Sequence, residues 1–222
     1  MSGGDLLRYL CAAVVGYLLG SIPSGVLVGR LFGNLDPRAY GSGKTGATNI
    51  LRTLGPGPAI LVALMDVAKG VVAVLVTRFL IFPIPANASV GQHTVQAGAE
   101  AIAAFCALLG HNFSIFLHFT GGRGVATGGG AIFAQNPLTG LISIVCMAIP
   151  IILTRYMSLG SITGAAVAGI TSLIFTLTGH DYWPHAAFAL VGGAFVIYSH
   201  RDNIHRLLTG TERKIGQPAV HH

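Results

Sequence analysis

The strongest constraint on this chain is the length of its uncharged apolar runs. Residues 9–28, 156–179 and 183–199 contain no Asp, Glu, Lys or Arg. Each approaches the ~20 residues that an α-helix needs to cross the hydrocarbon of a bilayer. Inside lipid the backbone must satisfy its own hydrogen bonds, so runs of this kind span as helices. Composition agrees, because 52% of the 222 residues are apolar and only 9% are charged, against roughly 25% charged in a soluble domain. The expected fold is all-α: a polytopic integral membrane protein forming one domain over 1–222, with a short cytoplasmic tail at about 200–222.

The first run is too long and too glycine-rich for a cleaved signal peptide and lacks a polar small-residue cleavage region, so it is expected to remain as a span. Seven spans are predicted, at about 9–28, 58–77, 101–117, 125–135, 138–154, 158–177 and 183–199. The fourth is short. Asn136-Pro137 breaks the uncharged stretch 124–154, and the limb before that break reaches only about 17 Å at 1.5 Å per residue, which requires tilt, extension or partial re-entry. Pro23 is expected to kink the first span near its inner end. The pairs Gly16/Gly20, Gly25/Gly29 and Gly160/Gly164 are expected to let helices approach closely.

With the N-terminus outside, the inner segments hold Arg30, Arg38, Lys44, Arg52, Arg123, Arg155, Arg201, Arg206, Arg213 and Lys214. The outer segments keep Arg8 and Arg78, and Lys69 lies within a span. This bias orients the chain by the positive-inside rule. Cys11, Cys106 and Cys146 fall in apolar runs without other ligands at metal spacing, which argues against disulfides and zinc; no metal or cofactor is expected. The net charge of +6 is scattered between apolar spans without interleaved aromatics, which disfavours nucleic acid and favours anionic membrane lipids or a phosphorylated substrate.

Three polar clusters interrupt the apolar pattern. In the first, 41–52, the string GSGKT looks like a P-loop, but that motif needs Gly five residues before Gly43, where this chain has Arg38, and no strand precedes it. The underlying physics survives: Gly41, Gly43 and Gly46 free backbone N–H groups to face an anion, Ser42, Thr45, Thr48 and Asn49 add donors, and Lys44 and Arg52 add charge. An ordinary solvated loop is the blander alternative. The second cluster, 110–130, starts with His111 and Asn112 inside a span, where polar groups face the protein interior or a cavity. Gly121, Gly122, Arg123 and Gly124 then carry one cation to a helix start, with Thr127 one turn on. In the third, 199–214, His200, Asn203 and Arg206 share a helical face that Gly210 would end; a basic amphipathic tail on lipid is the competing reading. Asp66 and Lys69 sit at helical spacing within the second span, read as mutual neutralisation, with a proton or ion path as the alternative.

These clusters resemble the three signature motifs of the bacterial acyl-phosphate:glycerol-3-phosphate acyltransferases, the PlsY family. The pattern S-G-N-x-G-A-T-N-x-x-R is similar to 42–52, G-H-x-x-P-x-F-x-x-F-x-G-G-K-G-V-A-T to 110–127, and H-x-x-N-I-x-R-L-x-x-G-x-E to 200–212. The departures are Lys44 for Asn, Ser114 for Pro and Arg123 for Lys. The resemblance implies transfer of a fatty acyl group from acyl phosphate to the primary hydroxyl of glycerol-3-phosphate, giving lysophosphatidic acid and phosphate in phospholipid synthesis. It implies a bacterial inner-membrane location with the site facing the cytoplasm, and leaves room for transient contact with the enzyme that makes acyl phosphate.

None of the nine histidines has Asp or Glu five residues later, so the His-Asp base of soluble-headed glycerolipid acyltransferases has no local support. Acyl phosphate is an activated mixed anhydride, and direct attack needs mainly positioning and charge stabilisation. The candidate catalytic residues are His111, His200 and Asn203. The candidate phosphate-binding residues are Ser42, Gly43, Gly46, Thr48, Asn49, Arg52, Gly122, Arg123, Gly124, Thr127 and Arg206. His200 and Asn203 are expected to orient the acceptor, with His111, His200 or a substrate phosphate oxygen taking the proton. A transporter or binder of phosphate esters is the rival, although no inverted repeat is evident.

All three clusters must share one membrane face, which requires the short fourth span to cross. Single cysteines at Thr45, Thr120 and Thr209 in a cysteine-free background should react with an impermeant thiol reagent only from the cytoplasmic side. Labelling of the Thr209 position from outside would separate the clusters.

Overall fold

The computed structural model describes residues 3–217; the last five residues of the expected tail lie outside the described residues. The described chain is helical, as expected, with an isolated bridge between Ser114 and Thr120. Its α-helices are α1 (Gly3–Ser21), α2 (Ser24–Gly33), α3 (Ala47–Leu54), α4 (Pro56–Val76), α5 (Val90–Asn112), α6 (Val125–Gln135), α7 (Pro137–Thr154), α8 (Met157–Leu177), α9 (Trp183–Ser199) and α10 (Arg201–Leu208). Four stretches, Gly4–Gly33, Pro56–Ile81, Pro137–Thr154 and Met157–Leu177, are long and apolar enough to cross a membrane.

Contacts at the helix ends give the order of the bundle. One end gathers the start of α1, the end of α4, the start of α5, the end of α6 and the α8–α9 turn: the Tyr9 hydroxyl donates to the Val95 carbonyl at 2.8 Å, Arg78 pairs with Glu100 and donates to the Ala134 carbonyl, and Asn136 reaches Asp181 at 3.2 Å. The opposite end gathers the end of α1, the end of α5, the start of α8 and the chain after α9. There Ser114 donates to the Ser21 carbonyl at 2.5 Å, Asn112 to Ser199 at 3.1 Å and Ser158 to Glu212 at 2.7 Å. The long limbs α1, α4, α5, α6, α7, α8 and α9 thus alternate in direction, and short α6 runs from one end to the other.

Several boundaries differ from expectation. Pro23 does more than kink the first run: the chain breaks between Ser21 and Ser24, and α2 starts afresh. The third limb begins at Val90, not at 101. Ser89 and Gln92 form a reciprocal capping box, and Glu100 is carried inside the helix because Arg78 grips it at 2.7 and 2.8 Å. Arg78 itself lies in a π-helical extension of α4, Thr77–Ile81. This limb ends at Asn112, so His111 lies in the last turn of α5. Asn136 and Pro137 break the chain as expected; Asn136 caps α7 through Thr139 N–H at 3.1 Å.

Backbone proximity organises the packing. A Cβ on Gly16 or Gly20 would strike the α5 backbone at Ala103 or Ala107, and one on Gly110 would strike the Tyr17 carbonyl. Gly70 and Gly130 do the same between α4 and α6, against the backbone of Thr127 and Val67, and Gly160 fits against Met147 and Ile151 of α7. Removing side chains at these points lets helices touch where lipid gives no hydrophobic drive. Gly25 instead fits against the Thr45 carbonyl, so α2 supports the loop before α3. Thr45 is consequently buried, and exposed Ala39 is the better labelling position on that segment.

Gly20→Val should lower stability by about 1–3 kcal/mol or more, the usual cost of overpacking. Gly129→Ala, where a Cβ meets nothing within 4 Å, should be neutral or stabilising. Thermal unfolding in detergent checks the contrast, and equal losses would refute it.

Candidate active site

The three clusters meet at the end of the bundle opposite Glu100. In the first, Gly41 and Gly43 take positive φ (60° and 65°), and the loop folds around Asn49. The two Nδ2 hydrogens of Asn49 are shared among the carbonyls of Pro37 (2.7 Å), Tyr40 (3.0 Å) and Lys44 (2.9 Å), and its Oδ1 accepts from Ser42 N–H at 3.2 Å. Buried Asn49 therefore shapes the loop from within. Gly46 caps α3 with open space at its Cβ position, and half-buried Thr48 lies in the first turn. Arg52, one turn on, donates to the Arg213 carbonyl at 3.2 Å. Lys44 lines a cleft of about 450 Å³ with Arg38, Gly43, Thr120 and Gly121, which joins the first cluster to the second.

In the second cluster, the glycines serve packing as well as freedom. A Cβ on Gly122 would strike His111 Nε2, one on Gly121 the His111 carbonyl, and one on Gly124 (φ 80°) the Leu108 side chain. Gly122 N–H donates to the His111 carbonyl at 3.1 Å. Arg123 is held between these contacts, and its Nε has no hydrogen-bond partner among the described residues. Thr127 is fully buried, with an unpartnered hydroxyl. Ser114 uses its hydroxyl to tie this loop to the α1–α2 break.

In the third cluster, Glu212 is the hub. Its carboxylate accepts from Asn203 Nδ2, Ser158 Oγ and Arg206 Nε, each at 2.7 Å. The tail continues back along the bundle, with Ile215 N–H donating to the Arg155 carbonyl at 2.9 Å and Arg155 returning a bond to the Ile215 carbonyl at 2.8 Å. Residues 211–217 are thus docked on protein. His200 Nδ1 faces the Val196 carbonyl at 2.8 Å; it must donate there, which leaves Nε2 as a lone-pair acceptor.

Electrostatics join the clusters. Burial, then neighbouring Arg206, lowers the pKa of Arg123, with Glu212 and Asp202 opposing and Arg52 adding to the effect. Burial, then Arg123, lowers that of Lys44, and burial lowers that of Arg52, partly offset by Glu212. For Glu212, burial favours the neutral form, but the bonds from Asn203, Ser158 and Arg206 outweigh it and hold the carboxyl below its ordinary value. Burial brings His200 down to about 4, helped by Arg123 and opposed by its carbonyl bond and Glu212. The result is a crowd of partly desolvated cations that repel one another, a setting that favours an anion.

His111 lies deeper, with Nδ1 3.5 Å from Asp66 Oδ1, and Asp66 pairs with Lys69 at 2.9 Å. The expected mutual neutralisation of Asp66 and Lys69 is present. Sequence reasoning passed over Glu212 and Ser158 as site members, although Glu212 closes the third motif. It also passed over Arg38, which Asp36 holds by a fork at 2.6–3.1 Å while Nη1 reaches Thr120 at 3.4 Å.

Fold and site together describe a membrane-embedded protein, helical over the described residues, with a face rich in Lys and Arg at one end. The family model described as "Glycerol-3-phosphate acyltransferase" matches residues 10–210, and the chain belongs to that family. It is 45% identical over 209 residues to glycerol-3-phosphate acyltransferase 2 of Moorella thermoacetica, covering 94% of this chain and 98% of the relative. It is 43% identical over 206 residues to the Thermus thermophilus glycerol-3-phosphate acyltransferase, covering 93% and 94%. The crystal structure of PlsY, an integral membrane glycerol 3-phosphate acyltransferase, in its glycerol 3-phosphate form superimposes with a TM-score of 0.79 at 35% identity, covering 94% of this chain and 96% of that one. The lysophosphatidic acid form gives 0.77 at 34% identity, covering 94% and 95%.

Since the folded state binds the His200 proton more weakly than the unfolded state, His200 contributes stability fully above about pH 7 and loses it as pH falls from about 6.5 toward 4. Wild-type protein should therefore lose thermal stability across that window more steeply than His200→Gln. Parallel pH profiles of the two would show that the imidazole is not held neutral.

Proposed function

We propose that this chain transfers a fatty acyl group from acyl phosphate to the primary hydroxyl of glycerol-3-phosphate. The hydroxyl oxygen attacks the acyl carbonyl carbon, the bond from that carbon to the phosphate oxygen breaks, and lysophosphatidic acid and phosphate leave. Membership of the glycerol-3-phosphate acyltransferase family supports the acceptor. The observation that carries the donor is the gathering of Arg52, Arg123 and Arg206 around one another with Glu212 among them, since two phosphate-bearing substrates need more positive charge than one.

In this reading Arg123, Arg52 and Lys44 hold the phosphates, and the Gly46 N–H with the Ser42 and Thr48 hydroxyls faces phosphate or the developing oxyanion, the Ser42 and Gly43 N–H groups being spent on Asn49 Oδ1 and the Tyr40 carbonyl. Asn49 shapes that loop, and Gly122 and Gly124 set the path of Arg123. His200 Nε2 accepts from the acceptor hydroxyl and orients it, and Asn203 and Arg206, fixed by Glu212, complete that wall. A group with a pKa of about 4 is a weak base, so the departing phosphate oxygen takes the proton. The chain crosses the membrane seven times, α6 being the short crossing, with the N-terminus outside and the site facing the cytoplasm, which agrees with the positive-inside rule. A phosphate-ester transporter has less to rest on, because Asp66 and Lys69 are engaged with each other.

Purified protein given acyl phosphate and labelled glycerol-3-phosphate should form lysophosphatidic acid, and chelator should leave the rate intact. Arg123→Ala should lower kcat/KM by about 100-fold or more, the loss of a charge-assisted phosphate contact. Arg123→Lys should lose far less, because the charge remains. No product, or equal turnover in all three proteins, would overturn the reading.

A further inference from the structure

Two deeply buried charged groups of the described chain have no part in the reaction above. Asp66 and Lys69 of α4 are buried, with 2% and 6% exposure. A buried ion pair is weak evidence for stability, since apolar replacements of similar volume are often as stable. What these two groups touch is more telling. Lys69 Nζ donates to the Ile22 carbonyl at 3.2 Å, in the break between α1 and α2. Asp66 Oδ1, which accepts Lys69 at 2.9 Å, also stands 3.5 Å from His111 Nδ1.

Each contact leads to one of the two loops that meet at the Lys44 cleft. Beyond Ile22, α2 starts at Ser24, and its Gly25 lies against the Thr45 carbonyl of the first loop. Beyond Asp66, the far edge of the His111 ring abuts Gly122, and the His111 carbonyl accepts Gly122 N–H at 3.1 Å. One ion pair therefore fixes the height of both loops relative to α4. The Ser114 hydroxyl, bonded to the Ser21 carbonyl, closes the circuit between them.

We propose that Asp66 and Lys69 are positioning residues that set the separation of Lys44 from Arg123, which follows the Thr120 and Gly121 wall of the cleft, and hence phosphate binding. This rests on the acyl-transfer reading. Neither side chain touches substrate: Lys69 acts through the α1–α2 break, and Asp66 acts through His111 and Gly122. Rigid support of this kind matters because small displacements of binding groups cost affinity steeply.

The test is steady-state kinetics with thermal unfolding in detergent. Asp66→Asn/Lys69→Met removes both charges together and so avoids an unpaired buried ion. It should keep its unfolding midpoint within a few degrees of wild type while KM for glycerol-3-phosphate rises about tenfold or more. Asp66→Glu keeps the ion pair but advances the carboxylate toward His111, and should also raise KM, which keeps the idea testable if the double variant does not fold. Lys69→Arg, which can still donate to both oxygens, should stay within about threefold of wild type. A merely structural pair would lower the folded fraction and apparent kcat at constant KM. Wild-type turnover with KM unmoved in every folded variant overturns this inference alone. A wild-type protein without turnover overturns the acyl-transfer reading and this inference with it.

Discussion

Hydrocarbon offers no water to an unpaired polar group, and the distribution of charge in this chain follows from that. At the end where α5 begins, Arg78, Glu100, His185 and Asp181 form a closed chain. Arg78 forks onto Glu100, His185 sits 3.3 Å from Glu100 and 2.7 Å from Asp181, and Asn136 takes the remaining Asp181 oxygen. Charges there satisfy one another. At the other end Lys44, Arg52, Arg123 and Arg206 share Glu212 and the more distant Asp202. The two ends thus differ: one is neutralised from within, and the other is left with excess cation.

Glycine serves this arrangement in two ways that look alike in sequence. Gly43 and Gly124 occupy positive φ, where a side chain would strain the backbone. Gly20, Gly70, Gly122 and Gly130 are ordinary in backbone but pressed against a neighbour. Arg123 gains its direction from the second kind: Gly121 and Gly122 lie flat against His111, so the residue between Gly122 and Gly124 has little freedom to move sideways. The glycine-rich loop is thereby seated on α5.

The long apolar runs and the break at Asn136-Pro137 made the helical limbs legible, because hydrophobic length and a missing backbone donor act locally. The limb starting at Val90 was hidden because its charge, Glu100, is neutralised by a residue 22 positions earlier, a pairing no local pattern reveals. The clusters themselves were legible as motifs, but the division of labour inside them was not. Asn49 reads as a donor to ligand, yet it spends both amide hydrogens on carbonyls of its own loop. Glu212 reads as the end of a motif, yet it accepts from helices α8 and α10 at once. Both roles depend on partners brought near by folding.

The same partners bear on the chemistry. An imidazole that takes a proton in a transition state should be flanked by an acid that stabilises its charged form. His200 has the reverse: its Nδ1 hydrogen is held by the neutral Val196 carbonyl, and the Arg123 charge disfavours a second proton. That setting fixes one tautomer and makes Nε2 a hydrogen-bond acceptor of stable direction, suited to aligning a hydroxyl rather than deprotonating it. With the acyl-phosphate donor proposed above, the reaction would need alignment and charge balance more than a strong base. Burial above all keeps His200 neutral, and the Arg123 charge adds to it, so the cations that would balance a departing phosphate in the proposed reaction also make His200 a poorer base.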